Sequence, residues 1–339
     1  MLHEDTVRLP EHRVLRVAFF GTPEIGAVIL SRLTQIPWVE VALVVCQPDR
    51  PRGRGRALER PPVKVVAEAG GIEVQQPTRL KDGVLASHLM GLKLDLGVVC
   101  AYGRIIPLDV FRAPAAGCWN IHTSLLPRHR GASPIQHAIL AGDPKTGITL
   151  MQLEEGLDEG DILFQRSIAL VGSETGASLT QALSELGADT LVEGLEQARS
   201  KGLTRTVQEA ARVTYAPLLE KKDSVLDFRQ PAAELERRVR ALEPWPGTQF
   251  GLGGTMIKVR SARVVPNKDE IAPRAGSIQR IGERLIVATG HDGLELVEIQ
   301  PPGKRPMPAA DFLRGSGRNI QTGDAVDPIS PPSAATPSA

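Results

Sequence analysis

Apolar positions along the chain fall into short runs whose period changes from strand-like to helix-like and back. Arg16 to Phe20 predicts a buried strand, Gly21-Thr22-Pro23 a turn, and Ile25, Val28, Ile29 and Leu33 share one side of a helix over 25–36. Val41 to Cys46 predicts a second strand, and a helix follows around Val63 to Ala69. Leu94 to Cys100 is too apolar to face water on either side, which also predicts a strand. Cys118 to His122, Ile148 to Leu153 and Ile162 to Ala169 continue the series, with a short helix over Pro134 to Ala141. Strands alternating with helices specify an α/β fold: a Rossmann-like, doubly wound, mostly parallel sheet.

Ser178 to Ala198 has helical spacing at Leu179, Leu183 and Leu186, and Lys201 to Leu219 then loses any strong period and reads as a connection. Pro231 opens a helix with Leu235, Val239 and Leu242 on one face, since proline suits the first helical turn. Met256 to Arg260, Ala262 to Val265, Arg284 to Ala288 and Leu294 to Ile299, separated by Gly and Pro, predict a small C-terminal OB-like β-barrel. The expected organisation is an N-terminal extension over 1–13, an α/β domain over 14–201, a linker over 202–221, a barrel over 222–322 and a tail over 323–339. The tail is rich in Pro, Ser and Ala and is expected to be disordered. A length of 339 residues agrees with two cores rather than one.

Cys46, Cys100 and Cys118 each lie beside an apolar run and share no metal-ligand spacing, so they read as reduced core residues. No run approaches the roughly 18 apolar residues of a membrane span. Met1 to Arg13 is too charged for a secretory signal, and a cytoplasmic protein without a membrane partner is expected. The net charge of +1 conceals an uneven distribution. Arg50, Arg52, Arg54, Arg56 and Arg60 stand against the single acid Glu59 over 50–60, and residues 221–320 hold 17 Lys and Arg against 12 Asp and Glu. Two regions are therefore suited to a polyanion.

In Trp119-Asn120-Ile121-His122, strand alternation puts Asn120 and His122 on one face and the two apolar residues on the other. An amide donor beside an imidazole suits a developing oxyanion, although an isolated Asn-x-His is more often a satisfied core or surface pair. Ser124-Leu125-Leu126-Pro127 follows directly, and reads either as a seat for a flat heterocycle or as an ordinary strand-end turn. Gly156-Leu157-Asp158-Glu159-Gly160-Asp161 is a glycine-flanked acidic loop from which Asp158 can reach back to His122; the alternative is a solvated turn. Glu154, Glu155, Asp158 and Asp161 lack the accompanying pattern of a metal site, so no metal is expected. Gly21-Thr22-Pro23-Glu24-Ile25-Gly26 lacks the G-x-G-x-x-G spacing, which argues against a dinucleotide.

Together these residues resemble the methionyl-tRNA formyltransferase family. The resemblance starts at Arg16-Val17-Ala18-Phe19-Phe20-Gly21-Thr22-Pro23 and passes through Gln47-Pro48-Asp49-Arg50-Pro51, Arg52-Gly53-Arg54-Gly55-Arg56, Pro62-Val63-Lys64-Val65 and Ala101-Tyr102-Gly103. Its most specific stretches are Asn120 to Arg128 and Arg130-Gly131-Ala132-Ser133-Pro134-Ile135-Gln136, and Gly156-Leu157-Asp158 completes it. The second domain resembles the family's C-terminal barrel through Leu235-Glu236-Arg237 and Pro244-Trp245-Pro246, with Glu243 where Asn commonly precedes that turn.

The resemblance implies a monomeric enzyme that moves the formyl group of 10-formyltetrahydrofolate to methionyl initiator tRNA for translation initiation. It implies that Asn120, His122 and Asp158 are catalytic and that Ser124, Leu125, Leu126 and Pro127 bind the folate. Arg50, Arg52, Arg54 and Arg56 would lie on a basic loop at the acceptor end of the tRNA, and the barrel would touch its backbone. The nearest rivals are a folate-dependent formyltransferase acting on glycinamide ribonucleotide or an amino sugar nucleotide, and an RNA-binding module with a degenerate enzyme domain.

Overall fold

Leu15–Gly21 forms β1, buried along its whole length apart from Arg16, and it lies inside a seven-stranded sheet. This computed structural model describes residues 6–52, 57–266 and 274–328. In chain order β1 is followed by α1 (Glu24–Thr34), β2 (Val39–Val45), α2 (Pro62–Ala69), β3 (Val74–Gln75), α3 (Val84–Gly91) and β4 (Leu96–Cys100). Then come β5 (Cys118–His122), α4 (Pro134–Ala141), β6 (Lys145–Gln152), β7 (Ile162–Ala169) and α5 (Gly176–Ser200). The spatial order is β7-β6-β5-β4-β1-β2-β3. Strands β3 to β5 through β1 run parallel, and β6 and β7 close one edge antiparallel.

The chain winds outward from β1 to β3 and returns on the other side at β4, so a crevice opens beyond the carboxyl ends of β1 and β4, where sheets of this kind place their ligands. All five residues of β4 are buried, as a strand covered on both faces requires. Gly97 allows β5 to come close, since a Cβ there would run into Cys118 Sγ. Cys46, Cys100 and Cys118 are buried and unpaired with one another. Burial pushes the Cys46 thiol up to about 11 and Cys100 up to about 12, and raises Cys118 as well.

Contacts divide the chain into two units: Met1–Pro134, Lys145–Ala169 and Leu179–Ala216 make one, and Ile135–Pro144, Leu170–Ser178 and Pro217–Ala339 the other. Residues 6–13, set apart as an extension, pack within the first unit. Thr6–Val7 pairs antiparallel with Leu203–Thr204, Leu9 N–H donates to Ala198 O at 3.1 Å, and Arg13 bonds Asp95. The stretch expected to be a linker, 202–221, belongs to the first unit as far as Ala216. It carries no period because isolated bridges hold it, Ile162 with Thr206 and Arg130 with Tyr215.

In the second unit the strands β8 (Thr248–Leu252), β9 (Thr255–Val265), β10 (Ile278–Ile281), β11 (Arg284–Ala288) and β12 (Gly293–Gln300) lie in the order β8-β9-β12-β11-β10, and α6 (Ala232–Ala241) packs on β9, the second of them. All neighbours are antiparallel, and the core includes Leu235, Val239, Phe250, Ile257, Leu285 and Leu296. The two strands expected over 256–260 and 262–265 are the single β9, whose register shifts between Val259 and Ala262. The tail is ordered further than its composition suggests: Val326 N–H bonds Gly276 O at 2.9 Å, and Asp327 accepts the N–H groups of Gly253 and Gly254 at 3.0 and 2.8 Å. The Asp327 bonds complete the turn between β8 and β9. Residues 329–339 of the expected tail lie outside the described residues. Among the described residues no helix is long and apolar enough to cross a membrane.

Candidate active site

The pleat of β5 turns Asn120 and His122 to one face, and antiparallel register sets them opposite Met151 and Thr149 of β6. His122 is 5% exposed. Its Nε2 lies 2.8 Å from the carbonyl oxygen of His129. A carbonyl only accepts, so Nε2 carries a proton and Nδ1 is left facing Asp158 Oδ2 at 3.6 Å. That contact becomes an ion pair when the imidazole is doubly protonated.

Asp158 sits in the loop between β6 and β7 with φ of +50°, the left-handed region that a short polar side chain tolerates best after glycine. Gly131 N–H donates to its Oδ2 at 2.8 Å, and Asn120 Nδ2 approaches its Oδ1 at 3.4 Å. The carboxylate is therefore held firmly at Gly131 and loosely towards Asn120 and His122. Asp161 instead faces Arg205 at 3.9 Å, and Glu154, Glu155 and Glu159 do not join the group around His122 in any described contact.

Ser124 to Pro127 is held chiefly through the Thr149 hydroxyl. Thr149 Oγ1 donates to Ser124 O at 2.7 Å and accepts from Leu126 N–H at 3.0 Å and Gln165 Nε2 at 2.8 Å. Ser124 Oγ donates to Arg128 O at 2.6 Å and closes the turn. Leu125, Leu126 and Pro127 line one side of a cleft of about 720 Å³, with Gln165, Ser167 and Thr214 on its other walls. Asn120, His122 and Asp158 are not on its lining. Thr149 carried a sequence signal, a hydroxyl next to the apolar pair Leu150-Met151, whereas Gln208 lies in the stretch without a period.

Arg50–Arg52 pairs with Ala57–Glu59 as a small hairpin, and Arg50 donates to Gln47 Oε1. Its root is tied down by Lys64, whose Nζ lies 2.9 Å from Asp49 Oδ2, and by Gln76 Nε2 at 2.7 Å from Asp49 Oδ1. The Lys64 hydrogen bond, then that of Gln76, holds the Asp49 carboxyl below the usual range. Arg54 and Arg56 lie outside the described residues, as does the side chain of Arg52.

Residues 15–195 match the formyl transferase family, and residues 218–317 match the formyl transferase C-terminal domain. The methionyl-tRNA formyltransferase of Methylococcus capsulatus is 45% identical over 311 residues, which is 91% of this chain and 100% of that one. That of Myxococcus xanthus is 44% identical over 301 residues, 88% of this chain and 95% of the other. Among solved structures, the N-formyltransferase of Helicobacter canadensis in complex with folinic acid and dTDP-3-aminofucose superposes with a TM-score of 0.63 at 16% identity, covering 85% of this chain and 100% of that one. HypX from Aquifex aeolicus in complex with tetrahydrofolic acid gives 0.60 at 19% identity, covering 94% of this chain and 50% of its own. At those identities the likeness to solved structures is one of fold. The two sequence relatives, matched over nearly their whole lengths, carry more: the chain belongs to the methionyl-tRNA formyltransferase family.

Proposed function

We propose that the chain transfers the formyl group of 10-formyltetrahydrofolate to the α-amino group of methionyl initiator tRNA, with Asn120, His122 and Asp158 as the reacting group. The observation that carries this reading is Asp158, clamped by Gly131 N–H and facing both Asn120 and His122.

An α-amino group titrates near 7.7–8.0, and an adjacent ester lowers that, so much of the nucleophile is neutral at physiological pH. The amine nitrogen bonds to the formyl carbon and the carbonyl oxygen becomes negative. Asn120 Nδ2 is a donor for that oxygen, and His122 Nδ1 becomes a second one once the ring takes up a proton as the imidazolium; preorganised donors of this type are the main source of rate in acyl transfer. The bond from Nε2 to His129 O keeps the ring in one orientation, and Asp158 stabilises the imidazolium. The amine loses a proton, which passes through this group or water to N10 of the folate as the C–N10 bond breaks. Ser124, Leu125, Leu126 and Pro127 are read as the folate loop, and Arg50, Arg52, Arg54 and Arg56 as the arm on the tRNA phosphates. The excess of basic residues over 221–320 supports a second contact with the tRNA backbone. The enzyme is read as a cytoplasmic monomer.

The test is acceptor choice. With labelled 10-formyltetrahydrofolate and, separately, methionyl initiator tRNA, glycinamide ribonucleotide or an amino sugar nucleotide, label is expected in the tRNA. Label in either small acceptor, with none in the tRNA, would reject the reading.

A further inference from the structure

Arg130 is buried, and the hydrogen bonds of its guanidinium go to a neutral amide: Nε and Nη2 both donate to Gln208 Oε1, at 3.0 and 2.8 Å. Gln208 is equally buried, and its Nε2 donates to Asp158 O and to Gly160 O, each at 2.8 Å. Both protons and both lone pairs of that amide are thereby used. The residue beside Arg130 supplies the other hold, since Gly131 N–H grips the Asp158 carboxylate. Two consecutive residues thus secure Asp158 at both ends, one through its main chain and one through its side chain. Gly131 has no substitute there, because its φ is +115° and a Cβ would stand 2.8 Å from Ala216 O.

We propose that Arg130 and Gln208 are positioning residues of formyl transfer, a buried relay that fixes the left-handed backbone of Asp158 so that its carboxylate meets His122 and Asn120. The proposal rests on the reading of Asp158 as catalytic. The choice of amide supports it. A glutamate at 208 would pair more strongly with Arg130, but it would offer two backbone carbonyls no donor. Only an amide takes charge-assisted bonds from the guanidinium and still donates to the loop.

The test uses Gln208→Leu, Gln208→Glu, Asp158→Asn and the double variant Asp158→Asn/Gln208→Leu in single-turnover transfer at saturating folate and tRNA. Each Gln208 variant is expected to lower the rate about 10- to 100-fold, the scale of a small misplacement of a reacting group, with tRNA KM held within about threefold. The double variant is expected to be no slower than Asp158→Asn, because a residue acting through Asp158 has nothing left to position. If Gln208→Leu does not fold, Gln208→Glu keeps the shape and the Arg130 pairing and carries the same test. Wild-type rates in the Gln208 variants beside a slow Asp158→Asn would overturn the relay alone, as would a double variant slowed by the product of the single effects. An Asp158→Asn enzyme as fast as wild type would remove the reading of the site, and the relay with it.

Discussion

Asp158 Oδ2 stands 3.6 Å from His122 Nδ1, beyond hydrogen-bond length, while the far nitrogen of the same ring is fixed at 2.8 Å by His129 O. The imidazole is anchored on one side and left slack on the side where the carboxylate waits. In the proposed mechanism this contact tightens when substrate arrives. Replacing Asp158 with Asn keeps the shape and suits the positive φ but removes the charge. Single-turnover transfer should fall about 100-fold or more. A rate equal to wild type would take the carboxylate out of the mechanism.

Asn120→Ala tests the proposed oxyanion donor separately. Removal of one such donor costs about 2.7–4 kcal/mol in comparable sites, or roughly 100- to 1,000-fold in kcat. Folate and tRNA KM should change far less, because the lost bond strengthens only as negative charge develops. A rise in KM at constant kcat would point to ground-state binding instead.

Thr149→Val leaves the buried Leu126 N–H without its acceptor and Ser124 O without its donor. Each stranded group costs about 1–3 kcal/mol. Thermal denaturation should shift down and folate KM should rise, since the loop over 124–127 loses its fixing point. Unchanged folate KM in a destabilised variant would detach the loop from folate binding.

Arg54→Ala should raise tRNA KM and reduce the slope of log affinity against log salt by about one, the signature of one lost phosphate contact. Folate KM should stay the same. Equal salt slopes in variant and wild type would leave the arginine arm without a phosphate.

Acid stability should follow Asp95. Burial alone would raise its carboxyl, but the Arg13 hydrogen bond, the Arg16 backbone N–H and both charges outweigh that and hold it below the ordinary range. A depressed carboxyl stabilises the fold in full above its unfolded value of about 3.9 and loses that contribution as pH falls through the folded value. The Tm of Asp95→Asn should therefore lie below wild type at pH 7, with the two curves converging below pH 4. A gap that persists undiminished well below pH 4 would argue against the ion pair.

The parallel strands were legible because burial on both faces leaves an unbroken apolar run, as in Leu96 to Cys100. The second domain was harder to read. The register shift in β9 broke one strand into two apparent ones, and Thr248–Leu252 was missed because Gly251 interrupts its alternation of buried Thr248 and Phe250. In the candidate site, a period of two was enough to place Asn120 and His122 on one face. Asp158 was visible only as one acid among several, because its selection depends on a backbone bond from Gly131. Gln208 left no mark, because isolated bridges and side-chain bonds impose no repeat on the residues around them.

The pairing of Thr6–Val7 with Leu203–Thr204 bears on how the protein is made. A ribosome releases the opening strand long before its partner exists. All seven strands of the central sheet and the long α5 emerge first. That edge must wait without a mate until the sheet and α5 have been made, so its closure joins the oldest described residues of the nascent chain to a segment synthesised after the whole sheet.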